Sequence, residues 1–267
     1  MAGRTDAVIV IPTHNEAGNI GKLLEQILSL NLDLKVVVVD DSSPDKTADV
    51  VEQLSRDNRR IHLIRRNKKR SFGASYRDGF EYAFGLNPKY IFQMDADLSH
   101  PPEFILDFLK TIPDYDLVIG SRYLNGIRII NWSIGRLALS LFANRYIRIV
   151  LGVPFEDCTS GFRCWKAQAL RDIRMKRISS NGYAFLVEMA YLAFKNRYRI
   201  KEIPIIFVER KAGDSKLSMK LIFESAFLPW RLRVRNIFLR SSIFGKNKKA
   251  LSKKNHLVSF FKRIFDF

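Results

Sequence analysis

Cysteine is nearly absent from this chain: Cys158 and Cys164 are the two thiols in 267 residues. Two are too few for a disulfide framework or a four-ligand zinc site, so both are expected as free thiols. No run approaches the ~18 consecutive apolar residues that a membrane-spanning helix requires, so no transmembrane helix is expected. The leading segment MAGRTDAVIVIPTHNE lacks a signal peptide's apolar stretch and small-residue cleavage site, which sets the expectation of a cytoplasmic protein. The first strand-like run opens into no Gly-x-Gly-x-x-Gly turn, which argues against a dinucleotide dehydrogenase, and no P-loop is present. The four histidines, His14, His62, His100 and His256, stand in no triad-like setting. Acidic residues are in deficit: 27 Asp+Glu face 45 Lys+Arg, a formal net charge of +18.

What the chain has in quantity is apolar side chains, 47% of the total with 20 Phe, enough for a sizeable core and against wholesale disorder. AVIVIP (7–12), KVVVVD (35–40), IHLIR (61–65), KYIFQMD (89–95) and DLVIG (116–120) read as strands. Between them, Ile20, Leu23, Leu24, Ile27 and Leu28 follow a helical period, and Ser43 with Pro44 marks a helix start. Residues 72–85 read as helix, and Pro101 and Pro102 open another with the stripe Phe104, Ile105, Phe108, Leu109 and Ile112. This alternation predicts an α/β fold, a parallel sheet covered by helices.

In such sheets ligands bind beyond the carboxyl ends of the strands. Polar clusters follow directly on four of them: PTHNE (12–16), DDSSPD (40–45), DADLSH (95–100) and GSR (120–122). Asp95 and Asp97 carry the sharpest signal, because two carboxylates at a strand end can hold a hard divalent cation, Mg²⁺ or Mn²⁺, shared with substrate phosphates. A bare Asp-x-Asp also serves as a helix N-cap, with Asp97 or Ser99 taking up free N–H groups ahead of Pro101. Asp40 and Asp41 can accept hydrogen bonds from a base or ribose, or cap the helix near Pro44. Downstream, Arg136, Ser140, Asn144 and Arg148 recur every fourth residue and share one helix face, with Ile134, Leu137, Leu141 and Phe142 on the other. Arg122 closes the fifth strand, and Arg210 and Lys216 flank a loop containing Gly213 and Ser215. Guanidinium groups suit bidentate phosphate binding; the helix row also reads as a solvated face.

The basic excess is concentrated late in the chain: residues 210–267 hold 15 Lys/Arg and 3 Asp/Glu. LIFESAFLPWRLRVRNIFLR (221–240) mixes bulky apolar residues with arginines, and KNKKALSKKN (246–255) is a basic linker. Leu257, Phe260, Phe261, Ile264 and Phe265 then recur at helical spacing around Lys262 and Arg263. Basic charge with a bulky apolar stripe fits helices lying in an anionic membrane interface. The plainer reading is a terminal helix packed on the core. No nucleic-acid-binding motif occurs, so nucleic acid is not an expected partner.

In order along residues 7–217 stand VIPTHNE, VVVDDSSPDKT, RNKKRSFGASYRDG, MDADLSHPPE, DLVIGSRY, NWSIGR with Ser140 and Asn144, DCTSGFR, NGYAFLVEM and EIPIIFVERKAGDSKL. Together these resemble the dolichol-phosphate mannosyltransferase family, within glycosyltransferase family two. DCTSGFR and the GxSK loop after EIPI are the pieces most specific to polyprenyl-phosphate acceptors. The resemblance implies a GT-A fold, a mostly parallel Rossmann-like sheet. It divides the chain into a catalytic domain, 1–218, and a basic amphipathic interfacial tail, 219–267.

The resemblance also implies roles. Pro12, His14, Glu16, Val39 and Asp41 match positions that hold the nucleotide. Asp95, Ala96 and Asp97 match the motif that binds sugar nucleotide and metal, and Ser99 stands where a glutamine often helps ligate it. Arg122, Arg136 and Arg210 match arginines that meet substrate phosphates, with Ser140 and Lys216 beside them. His14 replaces a usual tyrosine, Ser71 a glycine and Leu186 a glutamine. The implied reaction is an inverting, metal-dependent transfer of mannose from GDP-mannose to a dolichyl or polyprenyl monophosphate. It would run at the cytoplasmic face of a membrane reached through the tail, with a membrane-anchoring subunit as a further partner to look for. Another donor such as UDP-glucose, or a non-catalytic basic binding protein on the same scaffold, are the competing readings.

Overall fold

The computed structural model describes residues 6–67, 71–173, 178, 180, 182–209 and 227–234. The five apolar runs become β1 (Ala7–Thr13), β2 (Leu34–Asp40), β3 (Ile61–Arg65), β4 (Tyr90–Gln93) and β5 (Leu117–Ser121). Between them lie α1 (Ala17–Ser29), α2 (Thr47–Asp57), α3 (Phe72–Gly85) and α4 (Ile105–Thr111). Next come β6 (Ile129–Ile130), α5 (Ile134–Leu151), β7 (Arg163–Lys166) and α6 (Ala167–Asp172). The order closes with α7 (Gly182–Lys195), β8 (Ile200–Pro204), β9 (Phe207–Val208) and a helical segment at 227–234.

The main sheet runs β3-β2-β1-β4-β7-β5-β8, and β6 pairs with β9 in a small second sheet. Its pairings are parallel except those of β7, which lies antiparallel between β4 and β5. Successive side chains of a strand point to opposite faces. In β1, Val8 and Val10 therefore join a core with α3, α5, α6 and α7, while Ile9 and Ile11 join one with α1, α2 and α4. Burial on both faces explains why these strands read as continuous apolar runs. Gly79 lets α3 lie close on the sheet, since a Cβ there would come within 2.4 Å of Val10 Cγ1.

β7 is the element that strand–helix alternation does not disclose. Because it runs against its neighbours, its first residue, Arg163, lies beside Gln93 at the carboxyl end of β4. The loop leading into it, residues 157–162, thus crosses the edge where the parallel strands end.

Three local expectations are corrected. α2 starts at Thr47 rather than near Pro44; the Ser43 N–H instead donates to Asp40 Oδ2 at 2.9 Å, and Asp45 Oδ1 takes the Thr47 N–H at 3.0 Å. Pro101 and Pro102 lead first into a 3-10 turn, Pro102–Phe104. The faces of α5 are inverted: Asn144 is buried and Ser140 half-buried, whereas Ile134 is 85% and Phe142 70% exposed. A Ser133 cap on the Arg136 N–H and a left-handed Gly152 define the ends of this helix. Both cysteines are free and buried, and burial pushes the Cys158 thiol up to about 12. Among the described residues no helix is long and apolar enough to cross a membrane.

Candidate active site

A cavity of about 280 Å³ opens at the carboxyl edge of the sheet. It brings together Asp95, Asp97, Arg122, Arg136 and Ser140, five of the residues singled out in the sequence. His100, Thr159, Ser160 and Gly161 complete its polar end. Leu139, Phe142, Ala143, Tyr146 and Ile147 of α5, Ala184 and Val187 of α7, and Leu228 and Pro229 form an apolar wall.

Asp95 and Asp97 sit just past β4. Ser99 offers both its N–H, at 3.1 Å, and its hydroxyl, at 2.5 Å, to Asp97 Oδ1, so this small turn fixes the carboxylate. Burial, then the neighbouring Asp97, pushes the Asp95 carboxyl up to about 7, with Glu16 adding to the repulsion. Converging acids that resist joint ionisation, built from oxygen ligands, suit a hard divalent cation with open positions for phosphate oxygens. Among the described residues no group of three or more His, Cys, Asp and Glu side chains gathers to hold a metal. The oxygen donors at this turn are the carboxylates of Asp95 and Asp97 and the hydroxyl of Ser99.

His100 is buried behind this pair. Its Nδ1 accepts the Asp95 N–H at 3.2 Å, so the neutral ring carries its proton on Nε2, 3.9 Å from Asp95 Oδ2. Burial lowers His100 to about 4, and its ring stacks on Phe162 at 5.0 Å.

Arg122 is held from behind. Its Nε and Nη2 donate to the two oxygens of Asp157 at 2.7 Å each, and Nη2 also reaches Thr159 Oγ1 at 2.7 Å. Burial alone would raise the Asp157 carboxyl, but the Arg122 guanidinium outweighs it and holds it below the usual carboxylate range. Arg136 lies over the Trp132 ring at 4.3 Å and pairs with Glu209. Ser140 shares a 2.7 Å hydrogen bond with the Tyr123 hydroxyl. Asn144 spans Thr159 Oγ1 and the Cys158 N–H.

The nucleotide candidates occupy the same edge one strand over and do not line this cavity. Pro12 and Val39 are register partners in β1 and β2. Val39 is fully buried, its side chain packed towards Gly79 of α3. Asp41 pairs with Arg66 at 3.0 Å, and Arg66 also meets Asp78 at 3.1 Å. Glu16 is buried and accepts from Asn19 Nδ2 at 2.9 Å; His14 is half-buried beside it, and Ala96 is buried. Arg210, Lys216 and the amphipathic stripe at 257–265 fall outside the described residues.

Sequence reasoning assigned no role to Asp157, Thr159, Trp132, Arg66 or Glu209. Asp157 and Thr159 lie inside DCTSGFR, but their partner Arg122 is more than 30 residues earlier, just past the end of β5, a pairing that spacing cannot reveal.

Residues 8–174 match glycosyl transferase family 2. The chain belongs to glycosyl transferase family 2. This glycosyltransferase is 36% identical over 232 residues to the polyprenol monophosphomannose synthase of Mycolicibacterium smegmatis, covering 85% of this chain and 88% of that protein. It is 35% identical over 236 residues to the undecaprenyl-phosphate mannosyltransferase of Micrococcus luteus, covering 88% and 97%. Among solved structures, a mannosyltransferase from Pyrobaculum calidifontis in complex with GDP-Man and Mn²⁺ superposes with a TM-score of 0.54 at 17% identity, over 96% of this chain and 81% of that one. Glucosyl-3-phosphoglycerate synthase from Mycobacterium tuberculosis, in complex with UDP, gives 0.57 at 16%, over 85% and 80%. These likenesses establish the GT-A fold of the glycosyltransferase.

Proposed function

We propose that this glycosyltransferase moves mannose from GDP-mannose to a polyprenyl monophosphate such as dolichyl phosphate. One observation carries the reading: a single cavity joins paired carboxylates and two arginines to an apolar wall. That combination fits an anionic headgroup attached to a hydrocarbon chain. Relatives named for polyprenol and undecaprenyl-phosphate mannose transfer support it.

Asp95 and Asp97 would hold Mg²⁺ or Mn²⁺, with Ser99 fixing Asp97 and its hydroxyl oxygen available as a further ligand. The cation, when bound, neutralises charge on the departing diphosphate. Pro12, His14, Glu16, Val39 and Asp41 would seat the nucleotide at the ends of β1 and β2, with Ala96 assigned to the sugar nucleotide by motif. Arg122 and Arg136, with Ser140 alongside, orient the acceptor phosphate and offset its repulsion from the donor. Arg210 and Lys216 are assigned to the same anions by motif. A phosphate oxygen attacks the anomeric carbon, the bond to the diphosphate oxygen breaks with its electron pair leaving on GDP, and the centre inverts. The acceptor is already anionic at neutral pH, so no strong general base is needed. Neutral His100 fits that economy.

The catalytic unit is assigned to 1–218 and the interfacial tail to 219–267, at the cytoplasmic face of a membrane. Within the tail, Leu228 and Leu232 are buried in the core, while Phe227 and Trp230 are 71% and 53% exposed. With Phe142, these are apolar side chains suited to a lipid interface.

The deciding experiment follows labelled sugar from GDP-mannose, with UDP-glucose in parallel, to dolichyl phosphate in detergent, with and without Mn²⁺ or Mg²⁺. Metal-dependent mannosyl lipid is the expected product. Transfer from UDP-glucose alone would replace the donor, and no transfer from either would reject the reading.

A further inference from the structure

Arg163 is a fully buried arginine at the start of β7. Its partners among the described residues are main-chain carbonyls: Nε donates to Ser160 at 2.8 Å, Nη2 to Cys158 at 3.0 Å and Nη1 to Leu186 at 2.7 Å. Taking a guanidinium out of water to meet only neutral acceptors is costly, and an apolar side chain would fill the same space at less expense. The three carbonyls diverge, two on the loop 157–162 and one on α7, a pattern that a rigid planar fork satisfies and a single ammonium does not.

The loop so clamped touches the active site three times. Asp157 chelates Arg122 through two 2.7 Å bonds. Thr159 adds a third to Arg122 Nη2 and meets Asn144. Gly161 lies against Asp95, so that a Cβ there would come within 2.9 Å of Asp95 Oδ2. A shift of the loop by a fraction of an ångström would thus move the Arg122 guanidinium, which three of its hydrogen bonds hold.

We infer that Arg163 is a positioning residue: it anchors the 157–162 loop to α7 and thereby sets where Arg122 presents its guanidinium to the acceptor phosphate. The inference rests on the acceptor reading of Arg122 given above. It locates acceptor affinity in a side chain that touches neither substrate.

Steady-state transfer with separately varied donor and acceptor tests it, on wild type, Arg163→Lys, Thr159→Val and their double variant. The wild type is measured first, and no transfer to polyprenyl phosphate would overturn the reading on which the inference rests. Given transfer, Arg163→Lys is expected to raise the acceptor KM about tenfold while the donor KM changes less than twofold. Thr159→Val should raise the acceptor KM as well, and the double variant should fall short of the product of the two effects, because both act through one loop. A purely structural role predicts something else: a lower kcat in proportion to the folded fraction, with both KM values unchanged. That result, or equal effects on the two substrates, overturns the inference. Should the lysine variant not fold, Arg163→Ala refolded in millimolar guanidinium takes its place. Recovery of the acceptor KM with added guanidinium supports the anchor, and recovery of folded protein with the acceptor KM still raised overturns the anchor.

Discussion

Arg136 and Glu209 form an ion pair whose guanidinium also lies over the Trp132 ring, 4.3 Å from its centroid. Both side chains are about a quarter to a third exposed, at 31% and 26%, so this is an exchangeable pair rather than a locked one. On the proposed reading Glu209 occupies the anion position that the acceptor phosphate must take.

Replacing Glu209 by Gln should therefore lower the acceptor KM, by up to about fivefold, the worth of a partly exposed pair. Arg136→Met should raise it, leaving the donor KM unchanged. Initial rates against acceptor concentration check both, and a raised acceptor KM in the glutamine variant would contradict the exchange.

Asp97→Ala should cut kcat by roughly a hundredfold or more, since several kcal/mol of charge stabilisation would be lost at about 1.4 kcal/mol per decade. The variant should retain its circular dichroism and melting behaviour. Normal metal-dependent turnover in it would remove Asp97 from the site.

The carboxyl of Asp95 is pushed up to about 7 by burial and by Asp97. A raised carboxylate pKa means that the charged form weakens the fold as pH rises from the ordinary value towards 7. Metal-free Asp95→Asn should therefore melt higher than metal-free wild type at pH 8, and added Mn²⁺ should raise the wild-type melting temperature more than the variant's. Scanning calorimetry with and without the cation reads both effects.

Gly161→Ala would drive a methyl group into Asp95, at 2.9 Å from Oδ2. The expected result is a 10–100-fold rise in the metal concentration for half-maximal activity, comparable to losing a supporting contact of a metal ligand. Unchanged metal dependence would mean that Asp95 does not hold the ion.

His100 is lowered to about 4 by burial, below its ordinary 6.5. The unfolded chain then binds the extra proton first, so stability present above pH 6.5 is lost as pH falls towards 4. Denaturant titrations between pH 7 and 4 should show less of this loss in His100→Asn than in wild type, after allowance for its lower overall stability.

Much of this glycosyltransferase follows from local pattern. β1 to β5 were legible because strands buried on both faces must be continuously apolar, and the polar clusters after them because chain leaving a buried strand meets solvent. That Asp95, Asp97 and Arg122 come together at one edge of the sheet was legible for the same reason. Tertiary structure decided which charges meet. It set β7 antiparallel, which carried DCTSGFR to the site edge and placed Asp157 behind Arg122. It turned the polar row of α5 inward and left Ile134 and Phe142 outward, against the usual amphipathic expectation. Periodicity reports that a helix has two faces; only the neighbours packed against it determine which face is covered.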